Sequence, residues 1–546
     1  MSSSQKPLLL LLLSFLLVML WQAWVIDHKQ DSREVLGVSA TPNSQIKEPE
    51  IVRAKEVTIE TDLLRVSVNK LGATITQVQL KGYPQSTTNA EPFDLFSKQP
   101  RHLYTAQAGF GKDHQLEFVT DSSYFKLAQN SDEVVATFTA KQPSGVVYEK
   151  TITCKRGSYA IDFKSRVLNQ SQSNLVTAHH NRFNLQQDFP IEEKSPSLAI
   201  DPNQPKPGWF TFSTYTGPAL YTEETPYVKL PFKDIESKGF KKIVTGENWI
   251  AMQQRYFITA WVDRSKAEKI VTSNFLSKNS EVLTRKSLWF DNKRPEITLL
   301  PGQQAEVLST LYAGPEIARL LSGLAKGLEL TVDYGWLWFL SDILFKVMVF
   351  IQKYLRNWGV AIIMTTVLVK LVFYKMSESS YRTIAKQKKL KPRIDAINEQ
   401  YKDESSLKNQ ALMKLYQEES INPIRSGCLP TVLPLPFFIA LYYVLIESVQ
   451  LRLAPFLWIP DLASKDPYYI LPVLMGVSML LQQRLSPPQG DPAQEKAMMI
   501  VPLMMCFMFS QFPAGLVLYS ITNNVLSYLQ QYYIMSKYGA FNKKNT

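Results

Sequence analysis

The sequence predicts an α-helical membrane protein that carries a large all-β sandwich on one side of the bilayer. Three observations predict this fold class: forty charge-free residues from Ala497 to Ser536, an apolar run at the N-terminus, and period-two alternation through the first half of the chain. A helix of forty residues would be about 60 Å long, twice the hydrocarbon thickness. Pro513 and Gly515 near its middle therefore predict a helical hairpin.

The first apolar run, Pro7 to Ile26, is uncharged, flanked by Lys6 and Asp27, and long enough to cross a bilayer. We expect residues 1–26 to form an uncleaved transmembrane anchor. The alternative is a cleaved signal peptide, but the length of the run and the lack of a small-x-small cleavage site at its end favour the anchor.

A polar tether and a β domain follow the anchor. Residues 27–55 have no sustained apolar period, which is typical of a linker. Residues 56–326 predict a sandwich of antiparallel strands, with alternation such as Leu64/Val66/Val68 and turns such as Arg156-Gly157-Ser158. A short helix that begins near Pro315 closes this domain toward the membrane.

Residues 336–354 predict an amphipathic helix at the membrane surface. They are almost all apolar, yet Asp342, Lys346 and Lys353 fall at i, i+4 and i+11, in one narrow polar stripe. Two tryptophans near the helix start suit headgroup depth. The alternative is a transmembrane helix that carries these charges into a bundle.

Residues 357–538 predict five transmembrane helices, at 357–374, 426–446, 467–483, 497–511 and 514–535. The basic loop after the first of them is cytoplasmic by the positive-inside rule. With the anchor there are six spans, so both termini, including the tail 539–546, are expected in the cytoplasm and the β domain on the opposite side of the membrane.

The cytoplasmic loop predicts a helical hairpin over 377–420, because apolar residues recur at helical spacing on both sides of Lys402-Asp403-Glu404-Ser405. Its basic face is a candidate docking site for the ribosome or for targeting factors. The alternative is a solvated face that touches anionic lipid. The basic residues are Arg382, Lys386, Lys388, Lys389, Lys391 and Arg393.

Lys370 lies within the first of the five predicted spans. An ammonium at the centre of a lipid-facing helix costs about 2.5–3.5 kcal/mol. The spans contain no Asp or Glu between their flanks, so water is the expected partner. The alternative is snorkelling to the interface, since Lys370 lies only about 7 Å of helix rise before Lys375.

Polar residues at helical spacing accompany this lysine. Together they predict a hydrated cavity open to the cytoplasm, although interhelix hydrogen bonds explain any single pair equally well. These residues are Thr366, then Tyr519, Asn523, Ser527 and Gln530 on the last span, and Ser478 with Gln482.

A methionine-rich span predicts a surface for varied apolar clients, because unbranched, polarizable side chains adapt to different partners. Ordinary packing explains the same run. The candidate residues are Met498, Met504, Met505, Met508 and, at the following turn, Phe512. The spans that begin at Pro467 and Ala497 are also short, which should thin the surrounding bilayer.

Composition excludes several other classes. The net charge of +12 is concentrated beside apolar spans, so it indicates topology rather than nucleic-acid binding. Three scattered cysteines form no metal or disulfide pattern, and no G-x-x-x-x-G-K-[ST] loop occurs, so no cofactor is expected.

An anion transporter is a further alternative, as is a sugar-binding protein or sugar enzyme with His179-His180 in a pocket.

Several motifs resemble the YidC/Oxa/Albino insertase family, in its Gram-negative form with a large periplasmic domain. The order and spacing of these motifs are more specific than any one of them. They are Asn357 to Gly359, Asn422 to Pro423 with Gly427 to Pro430, Pro436 with Ala440 to Tyr443, Asp466 to Pro472, and Phe512 to Tyr519.

The resemblance implies a non-enzymatic insertase and chaperone in the bacterial inner membrane that serves nascent membrane proteins, alone or with the Sec translocon. It implies a mutarotase-like supersandwich for the β domain and a hydrophilic groove open to the cytoplasm, with Lys370 as the groove cation. Bacterial members usually carry arginine there, so bidentate carboxylate binding is in doubt. Ser520 replaces a second tyrosine beside Tyr519, which weakens an aromatic client contact.

Overall fold

A computed structural model describes residues 55–99, 101–190, 198–201, 214–279, 283–401, 404–419, 421, 433–485 and 492–539. The predicted anchor at 1–26 and nearly all of the linker lie outside these residues, as do the tail beyond Gly539 and the start of the span predicted at 426–446. Within the described part of the chain, an all-β domain precedes a helical region, which confirms the predicted fold class.

The β domain contains strands whose side chains alternate between the core and solvent, as in β8, where every second residue is buried. The strands are β1 (Glu56–Glu60), β2 (Leu64–Asn69), β3 (Thr74–Pro84), β4 (Pro92–Asp94), β5 (Ser97–Gln99), β6 (His102–Phe110), β7 (Tyr124–Lys126), β8 (Glu133–Lys141), β9 (Val146–Lys155), β10 (Ala160–Asn169), β11 (Leu175–Thr177), β12 (His179–Pro190), β13 (Gly217–Tyr221), β14 (Val228–Lys229), β15 (Phe240–Val244), β16 (Asn248–Gln253), β17 (Phe257–Asp263), β18 (Lys269–Asn279), β19 (Leu283–Lys293), β20 (Ile297–Leu299) and β21 (Gln304–Pro315).

Two large sheets form the sandwich. The first runs in the order β15-β18-β19-β12-β6-β3-β2-β1-β7, and the second in the order β14-β13-β16-β17-β21-β10-β9-β8. Pairing is antiparallel except between β1 and β7. Apolar residues from both sheets share one core, in which Trp261 packs edge-to-face on Phe163. β17 is buried along its whole length, because its second face is also covered, by a smaller cluster that includes Leu321 and Leu328.

Among the described residues, two short helices lie in the β domain and nine lie in the region that follows. They are α1 (Phe232–Lys238), α2 (Ala318–Ser322), α3 (Trp338–Leu355), α4 (Trp358–Val372), α5 (Tyr374–Lys389), α6 (Lys391–Gln400), α7 (Ser405–Glu418), α8 (Leu435–Glu447), α9 (Ile470–Gln483), α10 (Pro492–Phe509) and α11 (Ala514–Lys537).

Most of the apolar helices are shorter than the predicted spans. Among the described residues, the stretch Gly335–Leu355 is long and apolar enough to cross a membrane by itself. α4 and α5 pass the same test only as a pair and are bent by 70° at Phe373. α9 has 14 residues, so it is about 21 Å long. The membrane orientation of α3, predicted here to be interfacial, stays a prediction.

Local signals position the helices of the core. The Asn357 side chain accepts a hydrogen bond from the Val360 amide and so caps α4. The charge-free stretch breaks between α10 and α11, and the first amides of α11, those of Ala514 and Gly515, donate to Ser464 and Leu462. These bonds satisfy two N–H groups that the helix itself leaves without a partner.

The β domain and the helical core are joined by the segment that connects α8 to α9. Arg452 in this segment donates hydrogen bonds to the carbonyls of Pro84 and Gln85 at 2.7 and 2.8 Å. Its guanidinium also lies 5.1 Å from the ring centre of Phe93. Val449 and Ala463 pack into the core of the sandwich. The two regions therefore share a specific interface.

Candidate functional site

Lys370 lies in the last turn of α4 and reaches across to α11. Its Nζ donates a hydrogen bond to Ser527 Oγ at 2.7 Å, and the Ser527 hydroxyl donates to the Asn523 carbonyl at 2.7 Å. The lysine is half-buried. No carboxylate forms an ion pair with it in the described part of the chain. The hydrogen-bond partner of this cation is therefore a neutral hydroxyl.

The polar stripe predicted on the last span faces the junction between α4 and α5. Gln530 donates to the carbonyl of Tyr374 at 3.4 Å, one turn beyond the contact of Ser527 with the lysine. Asn523 lies one helical turn before Ser527 on α11, so it shares the face of the helix with Ser527, and it is half-buried. The structure thus brings Lys370, Asn523, Ser527 and Gln530 together at one helix interface, and we call these four residues the polar patch.

Three other predicted groove residues lie deeper. Tyr519 is only 6 % exposed and packs in the apolar core. The hydroxyls of Thr366 and Ser520 donate to the carbonyls four residues earlier in their own helices, at 2.7 and 2.9 Å. A cavity of about 10 Å³ beside Thr366 and Tyr519 has room for about one water molecule. Thr366 and Tyr519 thus lie one helical turn before Lys370 and Asn523 on their own helices and line this small cavity.

Ser478 and Gln482 lie on α9, away from the lysine. Ser478 accepts a hydrogen bond at 3.1 Å from Asn524, a residue that sequence reasoning missed. Gln531 of α11, also missed, donates to the Leu485 carbonyl at 2.9 Å. Asn524 and Gln531 are seven residues apart, a spacing that could have indicated a second polar face on α11. Gln482 is half-buried near the end of α9.

The predicted apolar client surface is only partly exposed. Met504 is exposed, whereas Met505 and Met508 pack against the core; Met498 belongs to α10, but its side chain lies outside the described positions. Phe512 is 6 % exposed, because it packs between aromatic rings that include Phe438 and Tyr442. It therefore lies inside the core in this conformation.

Two side chains extend the exposed part of this surface. Leu503 and Phe507 flank Met504 and are both strongly exposed. Their spacing of i and i+4 puts them on one face of α10. Sequence reasoning passed over them because it followed the methionines alone. Ile500, one turn earlier, is also exposed, so among the described side chains the exposed apolar face of α10 includes Ile500, Leu503, Met504 and Phe507.

The basic residues of the cytoplasmic region lie on α5 and α6. Arg393 forms an ion pair with Glu419 at 2.9 Å, which joins α6 to the end of α7, and the Arg382 guanidinium lies 5.1 Å from the Tyr538 ring centre. Lys386, Lys389 and Lys391 are exposed, and Lys388 is half-buried. The two arginines thus have intramolecular contacts, and the exposed lysines are the more accessible cations.

The β domain contains a cavity of about 470 Å³ on its first sheet, lined by residues that include His114, Arg182, Asn184 and Trp289. His179 and His180, the pair singled out from the sequence, do not line it. Burial lowers the pKa of His179 well below its ordinary value, with Arg294 adding to the shift. Burial does the same for His180, with Arg182 contributing.

Comparisons with known proteins cover both regions of the chain. A family described as "60Kd inner membrane protein" matches residues 350–542, and one described as "YidC periplasmic domain" matches residues 56–347. A membrane protein insertase YidC from Coxiella burnetii is 37 % identical over 90 % of this chain and 85 % of its own length. One from Legionella pneumophila is 36 % identical over 98 % and 97 %.

Similarity to solved structures is weaker. A crystal structure of an active YidC insertase, with its first transmembrane domain resolved, has a TM-score of 0.38 at 17 % identity and covers 88 % of this chain and 92 % of its own. A galactose mutarotase related enzyme from Lactobacillus acidophilus has a TM-score of 0.29 at 11 % identity over 47 % of this chain and 97 % of its own. The family assignment therefore depends on the sequence matches.

Proposed function

This chain belongs to the YidC family of membrane protein insertases, and from that premise we propose that its polar patch receives the hydrophilic segment of a client protein. The sequence matches confirm the predicted resemblance and the predicted function, which is insertion of membrane proteins rather than enzymatic catalysis. They also assign the chain to the inner membrane, with the β domain in the periplasm. The transporter and sugar-enzyme alternatives are set aside on the same ground.

The proposal depends on the hydrogen-bond partner of Lys370. Its ammonium is half-buried among apolar helices and is hydrogen-bonded to the Ser527 hydroxyl. A hydroxyl offers an ammonium less stabilisation than a carboxylate does, because it carries no negative charge that attracts the cation. An acidic residue in the translocated segment of a client would supply the missing anion.

The proposed exchange is local. A client carboxylate that enters the patch takes the place of Ser527 at the lysine, while Asn523 and Gln530 offer amide groups to the client backbone. Lysine provides a point charge on a flexible stem rather than the flat fork of arginine. We therefore expect weak and reversible attraction, which suits a segment that has to leave the patch again.

The apolar part of a client would move along exposed helix faces. Leu503, Met504 and Phe507 form such a face on α10, and Val473 and Val477 form another on α9. α9 is about 21 Å long against a hydrocarbon core of about 30 Å, so the bilayer should thin around it. A thinner bilayer lowers the cost of moving the polar end of a client across.

The remaining partners belong to the same proposal. Nascent membrane proteins are the clients, and the Sec translocon is a partner for part of them. The exposed lysines of α5 and α6, Lys386, Lys389 and Lys391, would contact the ribosome, the signal recognition machinery or anionic phospholipid on the cytoplasmic side. Together with the predicted anchor, this placement would put both chain termini in the cytoplasm.

A charge exchange at Lys370 tests the proposal. Lys370→Glu should lower insertion of a client with an acidic translocated tail by about tenfold, the equivalent of one charged hydrogen bond of about 1.4 kcal/mol, while Lys370→Arg is tolerated. Insertion is measured by protease protection of the tail in inverted membrane vesicles. Lys375→Glu, at an exposed lysine five residues on, is the matched control. Unchanged insertion with Lys370→Glu removes the lysine from the mechanism.

A further inference from the structure

A cluster of three potential metal ligands lies in the β domain, far from the polar patch. Asp113 and His114 follow β6 in the chain, and His180 lies on β12, which pairs with β6 so that His180 stands opposite Gly109. One ligand atom from each of the three residues lies within 4.8 Å of the others. Strand pairing thus brings together residues that are far apart in the sequence.

Among the described residues, each of the three side chains has a buried polar atom without a hydrogen-bond partner. These atoms are Asp113 Oδ1, His114 Nδ1 and His180 Nε2. Asp113 is 1 % exposed and His180 is 6 % exposed. Buried polar atoms in proteins are nearly always hydrogen-bonded, so three unpartnered ones at one place are unlike ordinary core packing. A shared ligand would satisfy all three at once.

The surroundings hold Asp113 in place while leaving one of its oxygens available. Oδ2 accepts a hydrogen bond from the Phe110 amide at 3.0 Å and lies 3.0 Å from Lys150 Nζ. Gly109 makes room for this arrangement, since a Cβ there would lie 1.9 Å from Asp113 Oδ2. The carboxylate is therefore fixed through Oδ2, and Oδ1 remains for a ligand.

We propose that Asp113, His114 and His180 bind a zinc ion, with a fourth position that opens toward the cavity of about 470 Å³ that His114 lines. Two imidazoles and one carboxylate with an open position are a common ligand set for zinc. Ligand atoms in a tetrahedral zinc centre lie about 3.4 Å apart for bonds of about 2.0–2.1 Å. The three atoms therefore need to approach one another by at most about 1.4 Å. The cavity supplies the entry path.

Two nearby cations set the expected affinity. Lys150 contacts Asp113, and Arg182 lines the same cavity, although Arg182 is itself paired with Asp291. Positive charges near a divalent ion weaken its binding. The site should consequently bind more weakly than a structural zinc centre, and removal of the Lys150 charge should strengthen it.

Zinc titration of the full-length protein tests the site. The chain is purified in detergent at pH 7.5 with an affinity tag that contains no histidine, and Zn²⁺ is titrated against a chromophoric chelator. Co²⁺ serves as a spectroscopic substitute that reports imidazole ligation. We expect one equivalent to bind, and His114→Gln and His180→Asn each to weaken binding by at least about tenfold. His179→Gln is the matched control, because His179 directly precedes His180 on β12 and its side chain therefore points to the opposite face of the strand.

Lys150→Met provides a second test, because the expected change is a gain in Zn²⁺ affinity, whereas misfolding would lower that affinity. It should tighten Zn²⁺ binding by at least about threefold, and added Zn²⁺ should raise the melting temperature of this variant more than that of the parent chain. The proposal would be overturned if the parent protein failed to bind one equivalent of Zn²⁺. It would also be overturned if His114→Gln and Lys150→Met both left the binding unchanged.

Discussion

The ammonium of Lys370 on α4 and the hydroxyl of Ser527 on α11 are joined by a hydrogen bond of 2.7 Å, and the Ser527 hydroxyl donates its own hydrogen bond to the carbonyl of Asn523. The two helices are far apart in sequence, so this contact helps to fix how α4 packs on α11. It also leaves the cation without an anionic partner among the described residues. The same bond therefore stabilises the packing of α4 on α11 and marks where a client carboxylate would bind.

Close packing at Gly359 gives a first prediction. A Cβ at Gly359 would lie 2.2 Å from the ring of Phe456, whereas a Cβ at Gly476 in α9 would meet its nearest neighbour at 3.5 Å. Gly359→Ala should destabilise the helical core by about 1–3 kcal/mol, because the ring of Phe456 has to move, while Gly476→Ala should be nearly neutral. Thermal unfolding of the detergent-solubilised protein measures both variants. Equal melting temperatures would show that the packing is looser than described.

Arg452 gives a second prediction, about the interface of the two regions. Arg452→Gln removes the hydrogen bonds to the carbonyls of Pro84 and Gln85 and the contact with Phe93, and should weaken docking of the β domain by about 1–3 kcal/mol. Hydrogen exchange at residues 84–94 should rise.

Lys465 provides the control for Arg452, since it lies in the same connecting segment but donates to Gln511. Lys465→Gln should leave exchange at residues 84–94 unchanged. If Arg452→Gln does not increase exchange there either, the guanidinium does not hold the two regions together.

Glu60 gives a third prediction, about pH. A hydrogen bond from Lys81, together with Tyr124 and Arg65, lowers the pKa of Glu60 from 4.5 to about 2. A lowered pKa means that the stabilisation is present above about pH 4.5 and is lost as the pH falls toward 2. Glu60→Gln should therefore cost about 1–2 kcal/mol at pH 7, since Lys81 and Arg65 are partly exposed, and less at pH 3.

Thermal unfolding of the full chain at pH 7 and pH 3, followed by near-ultraviolet circular dichroism, gives the melting temperatures that measure this difference. Glu133→Gln, at an exposed carboxylate on β8, serves as the control and should change little at either pH. A destabilisation by Glu60→Gln that is as large at pH 3 as at pH 7 would show that the ionised carboxylate is not its source.

Features with a local signal could be predicted from the sequence. Alternation predicts the sandwich, Pro513 predicts the break between α10 and α11, and apolar spacing predicts α6 and α7 on either side of residues 402–405. The polar stripe on the last span likewise predicts that Ser527 faces inward with Lys370. In each case the pattern repeats with the period of the element itself, so no knowledge of the neighbouring elements is needed.

Features that depend on how elements pack could not be predicted. The bend at Phe373 separates an apolar helix from a polar one, α5, which has no membrane signal of its own. Phe512 and Tyr519 were expected to face a client but are buried, because Phe512 packs on Tyr442 of α8 and Tyr519 lies in the core between helices. The cluster of Asp113 with His180 depends on strand register, which single-sequence patterns do not fix across distant strands.

The most direct test of the central claim is disulfide crosslinking from α11 to the translocated tail of a client. The native cysteines Cys154, Cys428 and Cys506 are replaced by serine, and one cysteine is placed either at Asn523, within the polar patch, or at Val525, on the exposed face of the same helix. The account predicts that stalled insertion intermediates with a cysteine in the acidic tail crosslink to position 523 several times more than to position 525. Equal or weaker crosslinking at position 523 would contradict it.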